Sequence, residues 1–309
     1  MAKSVGMKLI YQSILVLMLV AIIVSPAVAV NYTISTMDVA GYSDTQLYGI
    51  NDAGKISGTC GTFDFASQVW QTSHGYWAFG GQFGTFDVPG ATGATQGQGI
   101  DAQGRIVGYY FSTSFHGFLF ANSTPTYPLD ATNSTNTYAT GINSQTQIVG
   151  YYLGSSGVQG FLYDGGIYTP LSVPASDATY ALGINDAGEI LGYYRISGVI
   201  HGFIRSNGSN GPVYTTVDVP GADGTILYGK NSANHIVGAY SKGGTIYGFV
   251  YDGKTFHTIQ PSGAVICFAR GINNLGQVVG TYQDQDNKWH GFLARVKGNL
   301  APIYLLLLD

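Results

Sequence analysis

The strongest constraint on this chain is a short phrase that returns six times. It reads Gly49-Ile50-Asn51-Asp52-Ala53-Gly54, then Gly99-Ile100-Asp101, Gly141-Ile142-Asn143, Gly183-Ile184-Asn185-Asp186-Ala187-Gly188, Gly229-Lys230-Asn231 and Gly271-Ile272-Asn273. The intervals are 50, 42, 42, 46 and 42 residues. Each copy leads into an apolar triplet such as Ile106-Val107-Gly108 or Ile148-Val149-Gly150, and then into a third phrase such as His116-Gly117-Phe118 or His201-Gly202-Phe203. A fourth element resembles Phe86-Asp87-Val88-Pro89-Gly90 and Val217-Asp218-Val219-Pro220-Gly221. Short β-branched and aromatic runs set off by Gly, Asn, Asp and Pro are strands and turns. The second run is apolar at consecutive positions, as in a strand covered on both faces. Four strands in each unit of about 40–50 residues is the pattern of a β-propeller blade.

The sixth unit stops after Val296 with three strands. Tyr32-Thr33-Ile34-Ser35-Thr36-Met37-Asp38-Val39 matches the fourth element and precedes the first unit. An N-terminal strand that completes the last blade removes exposed sheet edges, whereas a linear solenoid calls for polar caps. The expectation is an all-β, six-bladed β-propeller of four-stranded blades over residues 30–296, its ring closed by the N-terminal strand.

The three recurring phrases, in this order, resemble the HAF-type extracellular repeat of microbial secreted proteins, over about residues 32–296. The resemblance implies an exported repeat protein and brings no catalytic residues with it. Members often end in a surface-sorting segment. The apolar tail at 297–309 has neither a full hydrophobic span nor a basic end.

Export has its own signal. Lys3 and Lys8 precede the apolar run Ile14 to Val24, followed by Ser25-Pro26-Ala27-Val28-Ala29, a small-x-small cleavage pattern. Residues 1–29 read as a signal peptide cut after Ala29, with an uncleaved anchor helix as the alternative. No membrane span is expected in the mature chain.

Thirteen Lys and Arg against 17 Asp and Glu, a net charge of −4, offer no electrostatic footprint for a phosphate backbone, so no nucleic-acid partner is expected. The 45 glycines follow no every-third period, which excludes collagen. A chain 45% hydrophobic with 10% charged residues is the reverse of a disordered one. A monomer without cofactor or metal is expected, with a glycan or a cell-surface protein as the partner class.

The recurring polar residues read mainly as architecture. Asn51, Asp101, Asn143, Asn185, Asn231 and Asn273 suit turns, where a short polar side chain bonds nearby backbone. His74, His116, His201 and His290 lie on different blades, too far apart to share a metal ligated at about 2 Å. Glu189, the single glutamate, occupies a position filled elsewhere by Lys55, Arg105, Gln147, His235 and Gln277, and reads as a solvated turn. Asp284-Gln285-Asp286-Asn287 lacks the Gly and terminal Glu of a calcium loop. Asp44, Asp177 and Asp223 precede inner strands near the channel, either as turn caps or as a polar site. Lys230 replaces Ile, with a catalytic amine or a snorkelling stem as its two readings. Asn31, Asn122, Asn133 and Asn207 begin N-x-Ser/Thr triplets.

One face carries the asymmetry. Tyr110, Tyr152, Tyr194, Tyr240 and Tyr282 recur at the ends of second strands, and Thr45, Thr95, Thr137, Thr179 and Thr225 at the starts of first strands. Cys60 and Cys267 replace the missing Tyr and Thr in blades 1 and 6, which are neighbours in a closed ring. In an oxidising exterior they are expected to form a disulfide, with buried free thiols as the alternative. Between Cys60 and His74 lie 13 residues, against five to seven elsewhere, and this insertion holds Phe63, Phe65 and Trp70. These aromatics, with the five tyrosines beside them on this loop face, suit ligand stacking; cover for a blade edge is the alternative for the insertion. The leading functional expectation is a binding or scaffold module for glycan or protein. The alternative is an extracellular hydrolase or lyase acting on polysaccharide, with Asp44, Asp177, Asp223 or Lys230 at the channel mouth.

Overall fold

A computed structural model describes residues 32–64, 69–155 and 157–297, at 69–71 the backbone only. The expected signal peptide, Phe65 and the tail beyond 297 lie outside the described residues.

Every described regular element is a strand. The second unit shows the plan: Thr95–Ile100, Ile106–Phe111, Phe115–Ala121 and Thr124–Leu129 pair in sequence order, all antiparallel. The inner strands Asp44–Ile50, Thr95–Ile100, Asn136–Ile142, Ala178–Ile184, Gly224–Lys230 and Ile266–Ile272 converge on one channel. Four-stranded sheets standing around a channel make this an all-β propeller. Single parallel bridges, Ile200 to Gly224 and Ile246 to Ile266, join neighbouring sheets. The strand Tyr32–Thr36 pairs antiparallel with Trp289–Val296, as the outermost strand of the last unit. No helix among the described residues is long and apolar enough to cross a membrane.

The recurring phrases have physical causes. In Ile-Val-Gly and His-Gly-Phe, the glycine of the first pairs across the ladder with the aromatic of the second: Gly108 with Phe118, Gly150 with Phe161, Gly280 with Phe292. A Cβ on Gly108 would collide with the Gln96 carbonyl oxygen and meet the Phe118 ring at 2.7 Å. Phe118, Phe161, Phe203, Phe249 and Phe292 are fully buried in this way, each contributing about 2–3 kcal/mol of apolar burial. The glycine of Gly-Ile-Asn serves a different need. It ends a bulge in five of the inner strands and lies within one at Gly99, where neighbouring backbones come close near the axis; a Cβ on Gly141 would sit 2.9 Å from Gly183 Cα.

Each Asn or Asp of the phrase then closes a turn. Asn143 Oδ1 accepts from Gln147 N at 3.0 Å, and the backbone carbonyl of Asn143 accepts from Thr146 N at 3.0 Å. The fourth turn residue has positive φ in every copy, at Gly54, Gly104, Thr146, Gly188, Asn234 and Gly276. At Thr146, which is not glycine, a side-chain bond accompanies it: Thr146 Oγ1 accepts from Arg105 Nη1 at 2.7 Å.

The core lies between blades. One layer packs Cys267, Tyr282 and Phe292 of the sixth unit on Val237, Val250 and Ile259 of the fifth. The next packs Leu47, Cys60 and Tyr76 of the first unit on Val279 and Leu293 of the sixth.

Candidate functional site

A row of side chains crosses one face of each blade. In the second unit it runs Thr95, Tyr110, His116, Asp130. His116 Nδ1 bonds Asp130 at 2.7 Å, and the same pairing joins His74 to Asp87, His201 to Asp218 and His290 to Asp38 at 2.7–2.9 Å. The two units without His also lack the Asp: with Gln159 the equivalent position is Ser172, and with Tyr247 it is Gln260. A histidine whose occurrence tracks a local carboxylate is half of a structural pair, which agrees with the architectural reading. The threonines accept from the backbone of the incoming connector: Val39 N donates to Thr45 Oγ1 at 2.9 Å and Val219 N to Thr225 Oγ1 at 3.0 Å.

The tyrosines expected at the ligand face belong to this row. Tyr110, Tyr152 and Tyr282 are buried, and Tyr194 and Tyr240 half-buried. Their rings stack on the third-strand residue, Tyr282 on His290 at 4.9 Å and Tyr240 on Tyr247 at 5.3 Å. They fill the layers between blades and present little surface to a ligand.

The cysteines correct an expectation. Cys60 and Cys267 are free and buried, and no disulfide joins them. Equivalent rows on successive blades face the same way. Cys60 therefore lies in the layer between units 6 and 1, and Cys267 in the layer between units 5 and 6, its Sγ against Gly248. The sheet of the sixth unit stands between the two sulfurs. Burial pushes both thiols up to about 12. Pro261 accounts for Cys267: it occupies the connector position whose N–H elsewhere donates to the threonine, and proline has no N–H to give.

The aspartates are caps. Asp44, buried, accepts from Phe63 N at 3.0 Å and Trp289 N at 3.1 Å. Asp177 accepts from Ser197 N at 2.7 Å and Asp223 from Gly243 N at 2.8 Å. Each holds the hairpin of its own unit, Asp44 reaching Trp289 of the sixth unit as well, and no hydrogen bond or ion pair joins the three. Lys230 is also engaged: Nζ lies 2.7 and 2.8 Å from the two oxygens of Glu189 on the neighbouring blade. Burial raises the Glu189 pKa, but hydrogen bonds from Lys230 and Asn185 outweigh it and leave it lowered. The lone glutamate and the lone off-pattern lysine are thus one ion pair bridging two blades.

The axial channel is where unassigned chemistry collects. The residue before each phrase glycine bulges into it: Tyr48, Gln98, Thr140, Leu182, Tyr228 and Arg270 ring a cavity of about 130 Å³. Above them lies a belt of half-buried aromatics. Tyr109 meets Tyr138 at 4.9 Å, Tyr138 stacks on Tyr151 at 4.7 Å, Tyr151 meets Tyr180 at 5.0 Å and Tyr180 stacks on Tyr193 at 4.3 Å. On the other side Phe63, from the long hairpin, packs edge-on to Trp289, and Trp289 packs on Phe268. Of Trp70 only the backbone is described, paired with Phe63.

Arg270 stands at the base of this belt, its guanidinium 4.4 Å from the Tyr228 ring, 4.6 Å from Phe268 and 5.2 Å from Tyr48. Burial raises the pKa of Tyr48, Tyr228 and Tyr109; neighbouring phenols add to the rise at Tyr109 and Tyr228, while Arg270 opposes it at all three. These phenols stay neutral, and Tyr48 and Tyr109 donate their O–H groups to Gln46 Oε1 and Gln96 Oε1. Sequence reasoning picked the second tyrosine of each Gly-Tyr-Tyr run, but strand alternation turns the first, Tyr109, Tyr151 and Tyr193, into the belt.

No family model matches the chain, and no curated protein matches it. Among solved structures it is similar to the β-propeller domain of the Trilobed protease from Pyrococcus furiosus, described as having an open velcro topology, at 11% identity. That match covers 82% of this chain and 94% of the other, with a TM-score of 0.47.

Proposed function

We propose that the protein is an exported, six-bladed β-propeller of the HAF-repeat kind, closed by its N-terminal strand, that binds saccharide at the aromatic mouth of its channel. Closure is supported by Asn273 Nδ2 donating to Asn51 O at 3.1 Å, the same bond that links Asn231 to Asn273. Support for export comes from the leader pattern at residues 1–29 and the repeat resemblance.

The observation that carries the binding reading is the unbroken arc of half-buried tyrosines, Tyr109 to Tyr193, across the second, third and fourth units. Aromatic rings offer a rigid apolar face to the C–H face of a sugar, with a phenol donor at the rim. A polysaccharide hydrolase would need two facing carboxylates, and the three aspartates at this end are held by hairpin N–H groups.

A glycan array probed with the secreted chain, with turnover of bound polysaccharides measured in parallel, tests this. Retention of a glycan class that drops at least about ten-fold in Tyr151→Ala or Tyr193→Ala is expected, without turnover. Absence of glycan retention, or turnover abolished by Asp44→Asn, overturns it.

A further inference from the structure

A guanidinium has faces that stack and edges that donate hydrogen bonds. The faces of Arg270 are occupied by Tyr48, Tyr228 and Phe268. Its edge is not: Nε is buried and meets no protein acceptor, and no described carboxylate pairs with the side chain. Gln98 lines the same cavity with a second buried amide donor, Nε2, which has no full hydrogen bond and only the Tyr48 phenol as its polar neighbour.

The cavity wall contains no acidic residue. Acidic groups further along the axis are committed elsewhere. Glu189 holds Lys230, Asp101 holds Arg105, and Asp52 accepts from Asn274. A partly buried cation without counter-charge, in a cavity that a buried amide donor also lines, suits an incoming anion.

Building on the proposed saccharide binding, on which this step depends, we infer that Arg270 and Gln98 form the anion end of that site. They take the carboxylate of a uronic acid whose ring lies against the mouth tyrosines. The edge of a guanidinium matches the two oxygens of a carboxylate. A single unpaired cation balances one negative charge, since Lys230, the other cation on the axis, is neutralised by Glu189. That favours a carboxylate over a doubly charged phosphate.

The test is titration of the full secreted chain with a galacturonic acid trisaccharide and with its carboxyl-reduced, neutral counterpart, read by calorimetry or by Trp fluorescence. The acidic form is expected to bind about ten-fold or more tightly than the neutral one. In Arg270→Gln that ratio falls to near one, and in Arg270→Lys, which keeps the charge but loses the fork, it takes an intermediate value. Thermal melting of each variant separates lost binding from lost folding. A ratio near one in the unaltered protein, or a ratio unchanged in Arg270→Gln, overturns the anion site while leaving the saccharide reading standing. Binding of neither trisaccharide, together with an empty glycan array, removes both.

Discussion

Asn273 donates its side-chain amide to the backbone carbonyl of Asn51 at 3.1 Å, across 222 positions of sequence. Asn51 makes the same bond to Asp101 O at 2.9 Å, and Asn143 to Asn185 O at 3.2 Å. The joint between the two ends of the chain is therefore built like the internal joints. Two joints differ. Asp101 has no amide to donate, and Arg105 reaches across to Ser144 O and Thr146 Oγ1 instead. Asn185 turns its amide to Glu189, and Lys230 spans the gap.

That substitution of a salt bridge for an amide bond is testable. Lys230→Ile restores the residue common to the other phrases but strands a partly buried Glu189 carboxylate. It is expected to destabilise the fold by about 1–3 kcal/mol. Adding Glu189→Gln should recover part of that loss, giving a coupling of about 1 kcal/mol in a denaturation double-mutant cycle. Strict additivity would show that the pair contributes nothing.

The strand that completes the last blade brings a pH dependence. His290 Nδ1 lies 2.8 Å from Asp38, just past the N-terminal strand, and Nε2 lies 3.0 Å from Asp284. Two carboxylates at the two ring nitrogens favour the imidazolium form, in which both nitrogens donate. Burial alone lowers its pKa; the hydrogen bonds and charges of Asp38 and Asp284 outweigh burial and leave it raised above 6.5. A raised folded pKa gives stability that is complete below the unfolded value and is lost as pH rises through the folded value. Melting temperature should fall as pH rises above about 6.5, and His290→Gln should flatten that slope. Equal slopes in the two proteins would remove His290 as its source.

Two inner-strand glycines separate close approach from mere recurrence. A Cβ on Gly183 would collide with the backbone carbonyl of Tyr228, whereas on Gly229 its nearest neighbour is Val237 Cγ2 at 3.5 Å. Gly183→Ala should cost about 3 kcal/mol or more and Gly229→Ala less than about 1 kcal/mol, by chemical denaturation. Similar losses at both sites would mean that the approach of the inner strands is not what the glycine serves.

The cysteines give a chemical and a genetic test. With both thiols buried and pushed up to about 12, a thiol reagent should label neither in the folded protein and both after unfolding without reductant. Cys267→Thr should destabilise by about 1–2 kcal/mol, because Pro261 cannot donate to the new hydroxyl. Pro261→Val added to Cys267→Thr should restore the loss by supplying the missing N–H.

Much of the architecture was legible because it repeats. The strand phrases, the Asn turns, the histidines as structural groups and the N-terminal strand as partner of the last unit all come from comparing units with one another. What comparison hides is direction. Equivalence places Cys60 and Cys267 at one height on adjacent blades but says nothing of which side of a sheet each faces, and the sheet between them is the whole difference. The channel residues were missed for the opposite reason. Tyr48, Gln98, Thr140, Leu182, Tyr228 and Arg270 occupy one position without agreeing, so a search for recurrence passes over them. A position fixed in backbone and free in side chain, just before a recurring glycine, was the available signal.

The pairing of Tyr32 with Val296 and Thr36 with Phe292 has a mechanical consequence. The two strands run antiparallel with residues 32 and 296 at the same edge, so tension applied between those points loads one rung at a time. The seam would peel like a zipper at low force instead of shearing as a unit, and the remaining sheets would then give way from that edge inward.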